Sequence, residues 1–359
     1  MRTLRLVAAL MAVALIGPTL GARALAAPAA QGVTCDIEGY PTETLQIMAP
    51  AGPGGGWDTT AREMQQVLQT GIIEQSVEVF NVEGAGGTVG LSQLVNDEEG
   101  NEHQLMMMGL VMVGGIALNQ SDVTLDDVTP IARLTTEFEV IVVPADSEFQ
   151  TLADLVAAFQ ADPTAISWAG GSAGGTDHIL VGLMAQAVGV DPTQVNYVPY
   201  SGGGEALAAI LGGQVSAGVS GVGEWLDQIE AGELRALAIS AAQPAADATP
   251  AAGSPAAGSP VASPAAALPP VPTLQEQGID VELANWRGVV AGPNIPDDVR
   301  QCMVEMVERM SQSPEWADVL ARYGWSNYFL GGDEYGTFLQ SERERVLPLL
   351  ESLGLIEAA

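Results

Sequence analysis

Glycine clusters set between apolar strands and helices constrain this chain more than any other feature. Thr44 to Pro50 reads as a short apolar strand, Gly52 to Gly56 as a loop holding four glycines, and Thr59 to Gln69 as a helix. Val77 to Val82 is a second strand, followed by Gly84-Ala85-Gly86-Gly87 and a helix through Val95. Leu105 to Met108 and Glu139 to Val143 read as third and fourth strands. The second half repeats the scheme: strand 165–169, loop Gly170 to Gly175, helix 178–188, strand 195–198, loop Gly202 to Gly204, helix 205–211. Such alternation predicts α/β layers with largely parallel strands. Gly55-Gly56-Trp57-Asp58 corresponds to Gly174-Gly175-Thr176-Asp177, so the pattern predicts two similar α/β lobes.

The same loops carry the functional signal. A glycine loop running into a helix presents N–H groups without intrahelical partners at the positive end of the helix dipole. That makes an anion site with no cationic side chain, although glycine also serves merely to let a tight turn form. Four loops, two per lobe, point to a ligand with more than one carboxylate or phosphate held between lobes. The charge makes backbone recognition the natural choice. The chain of 359 residues carries 44 Asp and Glu against 12 basic residues, all of them Arg, for a net charge of −32. Without Lys there is no Walker-A loop, no Schiff base and no lysine base. Without a cationic face, nucleic acid is disfavoured as a partner.

Arg2 and Arg5, the apolar run Leu6 to Leu20 and Ala24-Leu25-Ala26 read as a signal peptide over 1–26, cleaved near Ala26. The chain is therefore expected to be exported, to a periplasmic or other extracytoplasmic location. Cleavage would remove three Arg and no acid, taking the charge from −32 to −35. In an oxidising compartment Cys35 and Cys302 either form a bridge or remain thiols; spacing does not decide. With His103 and His178 the only imidazoles, a structural zinc is not expected, nor any other metal or cofactor. Residues 241–270, with 13 Ala, 7 Pro and a tandem Ala-Ala-Gly-Ser-Pro, read as a disordered insertion. Val299, Met303, Met306, Val307 and Met310 lie on one face of a helix over 297–310, a core stripe.

Two enzymatic readings compete and fall short. Gly170-Gly171-Ser172-Ala173-Gly174 matches the nucleophile elbow of a serine hydrolase, but the triad His should follow much later than His178, and His103 lies upstream. Neither Gly52-Pro53-Gly54 nor Gly84-Ala85-Gly86 completes a dinucleotide fingerprint, because Trp57 and Val89 stand where the third glycine belongs. Asp58 and Asp177 read as first-turn acids that favour the helix dipole. Among the arginines, Arg62, Arg133, Arg235 and Arg287 are candidates for one direct contact to a ligand carboxylate, with ion pairing inside the chain as the competing role.

Pro53 to Asp58 with Ala61-Arg62 resembles the first signature of the extracytoplasmic receptors of tripartite tricarboxylate transporters, the Bug-type family. Asn81 to Gly87, Gly170 to His178, Val198 to Glu205, Leu211 to Val215, Ala231 to Ala238, Pro272 to Gly278 and Asn285 to Gly288 continue the resemblance in order across residues 43–355. The Trp57-Asp58 and Asn285-Trp286-Arg287-Gly288 forms are most similar to the tricarboxylate-receptor branch. The insertion at 241–270 departs from the family, which has a short connector there.

The resemblance implies a two-lobed periplasmic-binding-protein (Venus flytrap) architecture, with the chain crossing between lobes near 137–142 and 284–290. Lobe one would comprise 36–138 and 286–359, and lobe two 139–285. It implies a non-enzymatic, monomeric receptor that captures a small carboxylate, a citrate-like tricarboxylate above all, and passes it to the large and small membrane subunits of a transporter. A sensor feeding a signalling partner is an alternative with the same site. By position, the cleft would be lined by Gly54, Gly55, Gly56, Trp57 and Asp58, by Gly86, Gly87 and Thr88, by Gly171, Ser172, Ala173, Gly174, Gly175, Thr176, Asp177 and His178, and by Ser201, Gly202, Gly203, Gly204 and Glu205.

Overall fold

The computed structural model describes Cys35, residues 39–242 and residues 271–357. The leader expected over 1–26 and all but the first two residues of the 241–270 insertion lie outside the described residues. In chain order the elements are β1 (Leu45–Ala49), α1 (Gly56–Gln69), β2 (Val77–Asn81), α2 (Thr88–Asp97), β3 (Gln104–Gly109), α3 (Leu110–Leu118), β4 (Thr129–Pro144) and α4 (Leu152–Ala161). There follow β5 (Ser167–Gly170), α5 (Thr176–Ala187), β6 (Asn196–Pro199), α6 (Gly203–Leu211), β7 (Ala217–Gly221), α7 (Val222–Glu230) and β8 (Leu234–Ile239). The chain ends with β9 (Ala284–Ala291), α8 (Asp297–Ser311), α9 (Pro314–Tyr323), β10 (Ser326–Gly331) and α10 (Gly332–Ser352).

Two parallel groups of strands, β2-β1-β3 and β7-β5-β6, are joined through the antiparallel strands β9 and β4. Burial explains the sequences. β3 is buried at every position, and β1 at all but one, because helices cover both faces of a parallel sheet. β4 is the seam. Its first part, Thr129 to Phe138, pairs with β9, while Glu139 to Pro144 pairs with β7 and β8. The strand expected over 139–143 is thus only the second half of a 16-residue strand. The first half escaped notice because Arg133, Thr135, Thr136 and Glu137 are polar yet buried.

The methionine stripe of α8 is core, with Val299, Met303, Met306, Val307 and Met310 all buried. Cys35 and Cys302 form a disulfide that ties the chain ahead of β1 to α8. Helix α1 begins at Gly56, three residues earlier than the pattern indicated, so the last two glycines of the cluster are its cap and its first residue. The internal repeat slips by one residue: α1 is capped by Gly55, whereas α5 is capped by Gly175 rather than Gly174.

Candidate functional site: a cleft walled by helix N-termini

Helices α1, α5, α6 and α7 have Gly55, Gly175, Gly202 and Gly221 at their N-caps, and none has a side-chain cap. By contrast, α4 and α9 are capped by the hydroxyls of Thr151 and Ser313. A helix capped by glycine leaves its first N–H groups open to another acceptor. Gly55, Gly56 and Trp57 of the α1 turn and Gly202 and Gly203 of the α6 turn line one cavity of about 60 Å³, with Gly171, Ser172, Asp177, Ser201, Ser220, Glu224, Asn285 and Arg287. A second cavity of about 290 Å³ opens beside it, lined by Gly84 to Gly87, Ser172, Ala173, Ser201 and Glu205 among others. Ala51, Ser172 and Ser201 belong to both, so the two form one inner and one outer chamber.

The first-turn acids serve the loops themselves. Gly54 N–H donates to Asp58 Oδ2 (2.9 Å), Gly171 N–H to Asp177 Oδ2 (2.5 Å) and Ser201 N–H to Glu205 Oε2 (3.1 Å). Asp58 also accepts from Arg62 and Asn81. Burial pushes the Asp58 carboxyl up, but these three donors outweigh it and leave it below the usual carboxylate range. Gly174 N–H donates to His178 Nδ1 (3.1 Å), and the imidazole lies flat on Tyr197, with ring centres 4.1 Å apart. Thr88 donates to Ala85 O, and Thr176 to Asn285 Oδ1. Of the residues expected in the cleft, Gly54, Asp58, Thr88, Gly174, Gly175, Thr176, His178 and Gly204 line neither chamber. Several of them hold the lining residues in place. Ser172 lines both chambers, but among the described residues no imidazole is hydrogen-bonded to its hydroxyl.

Of the four arginines singled out, one reaches the cavity. Arg62 pairs with Asp58, Arg133 stacks on Tyr328 and Phe338, and Arg235 donates to Ala145 O and Phe149 O. Arg287, on β9, lies under the inner chamber, ion-paired to Glu137 of β4 and 3.5 Å from Glu224 of α7. Glu137 also accepts from Trp325 Nε1 (3.0 Å). Glu139 follows two residues later on the same face of β4, fully buried beside Asp177. Burial first, and then the neighbouring Asp177, Glu137 and Glu224, push the Glu139 carboxyl far up, which favours its protonated form. Asp177 is raised by burial to about 6, with Gly171 N–H and Glu139 acting to lower it. Sequence reasoning missed Glu137, Glu139, Ser220 and Glu224. The signal for Glu224 was present in Gly221-Val222-Gly223-Glu224, a fifth glycine turn with a first-turn acid.

The model of the tripartite tricarboxylate transporter family receptor matches residues 60–256 and 256–355. The chain belongs to this family. The protein BugT of Bordetella pertussis is 26% identical over 345 residues, covering 95% of this chain and 97% of its own. The periplasmic binding protein BugD superposes with a TM-score of 0.75 at 20% identity, over 88% of this chain and 99% of its own. MatC of Rhodopseudomonas palustris, solved with bound malate, superposes with a TM-score of 0.72 at 21% identity, over 87% and 100%. The fold is therefore the two-lobed α/β architecture of periplasmic solute-binding proteins, and the family is one of transporter receptors rather than enzymes. Among the described residues no helix is long and apolar enough to cross a membrane, and no cluster of His, Cys, Asp and Glu forms a metal site.

Proposed function

We propose that this chain is an exported receptor, cleaved near Ala26, that captures a small carboxylate and delivers it to the large and small membrane subunits of a tripartite transporter. One observation carries the reading. The glycine-capped N-termini of α1 and α6 converge on one chamber whose floor holds the guanidinium of Arg287. Backbone N–H groups at two helix ends, with a single buried cation behind them, suit carboxylate oxygens in a protein with no Lys. Lobes of 36–138 with 286–359, and of 139–285, place this chamber between them. The change of partner along β4 after Phe138 supports that division. The outer chamber leaves room for a second and third carboxylate, which favours a citrate-like ligand, and MatC, solved with malate, supports the broader class. Isothermal titration against citrate, malate and succinate tests the reading. Saturable binding of at least one is expected, and no heat with any of the three would overturn it.

A further inference from the structure

The floor of the inner chamber poses an electrostatic problem for an anion receptor. Glu137, Glu139, Asp177 and Glu224 surround one cation, Arg287, and an incoming carboxylate would be a fifth acid. Glu137 is accounted for by Arg287 and Trp325, and Asp177 by the Gly171 N–H. Both oxygens of Glu139 are buried without a hydrogen-bond partner but lie off the chamber wall; two unpartnered polar atoms belong to residues that line it. Arg287 Nη1 is buried without a hydrogen-bond partner on a side chain only 3% exposed, and Glu224 Oε2 is likewise buried without one. Both residues line the inner chamber.

Glycines bring this pair to the helix ends. A Cβ on Gly56, the first residue of α1, would collide with Arg287 Nη2 and Glu224 Oε1. A Cβ on Gly203, the first residue of α6, would collide with Glu224 Oε2. The Glu224 carboxyl therefore sits between two positive helix termini, beside an unused guanidinium N–H. We propose that Arg287 and Glu224 form an inner subsite that takes one carboxylate of the ligand together with a proton carried by Glu224. Arg287 Nη1 and the Glu224 Oε2 hydroxyl both donate to that carboxylate. A charged Glu224 would instead set two carboxylates against each other in a dry pocket, which they cannot both occupy as anions.

The groups facing Glu224 agree with this protonation. Glu137 and Glu139 approach from β4, Asp177 from α5 and Arg287 from β9; Ser220 precedes α7. Burial raises the Glu224 carboxyl to about 8, with Arg287 and the Ser220 hydroxyl beside it lowering it and Glu137 and Asp177 raising it. Above that pH the proton must be taken from solvent, so each ligand bound removes one proton from the medium.

The inference rests on the carboxylate-receptor reading, and titration of the whole protein with citrate, malate and succinate separates the two. Affinity for whichever acid binds should fall about tenfold per pH unit above about pH 8. Buffers of differing ionisation enthalpy should report uptake of one proton per ligand there. Glu224→Gln supplies an amide N–H without a titrating proton, so it should bind with an affinity that no longer changes over that range. Glu224→Ala should bind at least about tenfold more weakly at every pH. Thermal melts check that both variants fold, and the wild-type profile needs no variant. Affinity independent of pH in the wild-type protein, or a pH dependence that survives in Glu224→Gln, overturns the inference alone. Absence of binding by all three acids overturns the receptor reading and the inference with it.

Discussion

Gly55 and Gly202 meet across the cleft: a methyl group on Gly202 would stand 3.2 Å from Gly55 Cα, and one on Gly55 3.4 Å from Gly202 Cα. These residues cap α1 and α6, the two helices whose first N–H groups face the inner chamber. The loops must approach this closely for both helix ends to reach one small ligand. Gly202 has a φ of 175°, extended backbone that any residue adopts. Gly202→Ala therefore strains nothing locally and only obstructs the approach of the two loops. Its unfolding free energy should change by less than about 0.5 kcal/mol, as for a benign surface change. Its carboxylate affinity should fall about tenfold, or about 1.4 kcal/mol. Denaturant melts and titration measure the two quantities, and undiminished affinity would refute the contact's role in binding.

The disulfide between Cys35 and Cys302 closes a loop of 267 residues, nearly the whole folded chain. In the chain-entropy account, a cross-link over so long a loop restricts the unfolded state strongly. The double variant Cys35→Ala/Cys302→Ala should lose about 2–4 kcal/mol of stability. Reductant should reproduce that loss in the wild-type protein and leave the variant unaffected. Calorimetry with and without dithiothreitol checks both statements. Equal melting temperatures would mean that the bridge holds only a frayed end.

A net charge of −32 sets the encounter kinetics. The field of the whole surface opposes an anionic ligand, while the N–H donors and Arg287 act only at close range. Raising ionic strength from about 0.01 M to about 0.15 M shortens the Debye length from about 30 Å to about 8 Å. The association rate constant for a dicarboxylate or tricarboxylate should therefore rise with salt, the reverse of a receptor with a basic mouth. Stopped-flow measurement of tryptophan fluorescence, with Trp57 in the chamber wall, follows the rate directly. A rate that falls with salt would mean that a local positive potential overrides the net charge.

How much of this molecule was readable from its sequence depends on the range of the interaction. Glycine loops are local devices, so their positions before α1, α2, α5 and α6 followed from the order of residues along the chain. The apolar run Gln104 to Leu118 defeated the same approach. β3 and α3 follow each other with no polar turn between them, and the buried helix has no amphipathic period to separate it from the strand. The first half of β4 was hidden for the opposite reason, since its buried residues are polar. Likewise, Arg287 stood out as a scarce cation, but its partners are 150 residues away at Glu137 and 63 away at Glu224. No local period links those positions. Only the pairing of β4 with β9 on one side and with β7, which leads into α7, on the other brings them together.

His178 is buried against Tyr197 and accepts a hydrogen bond at Nδ1 from Gly174 N–H, which requires the neutral ring. Burial lowers its pKa to about 4, against about 6.5 in an unfolded chain. A group whose native pKa is depressed binds protons more readily once unfolded. Its contribution to stability is therefore present above pH 6.5 and declines as the pH falls through the interval down to about 4. Within that window the decline approaches about 1.4 kcal/mol per pH unit. His178→Gln keeps an acceptor for Gly174 N–H and has no proton to gain, so it escapes this loss. At pH 7 the wild-type protein should be at least as stable as the variant; by pH 4.5 the variant should have gained about 2–2.5 kcal/mol relative to it. The other acids titrate in both proteins and cancel in the difference. Urea unfolding at several pH values measures that difference, and parallel stability profiles for the two proteins would show that His178 is free to charge within the fold.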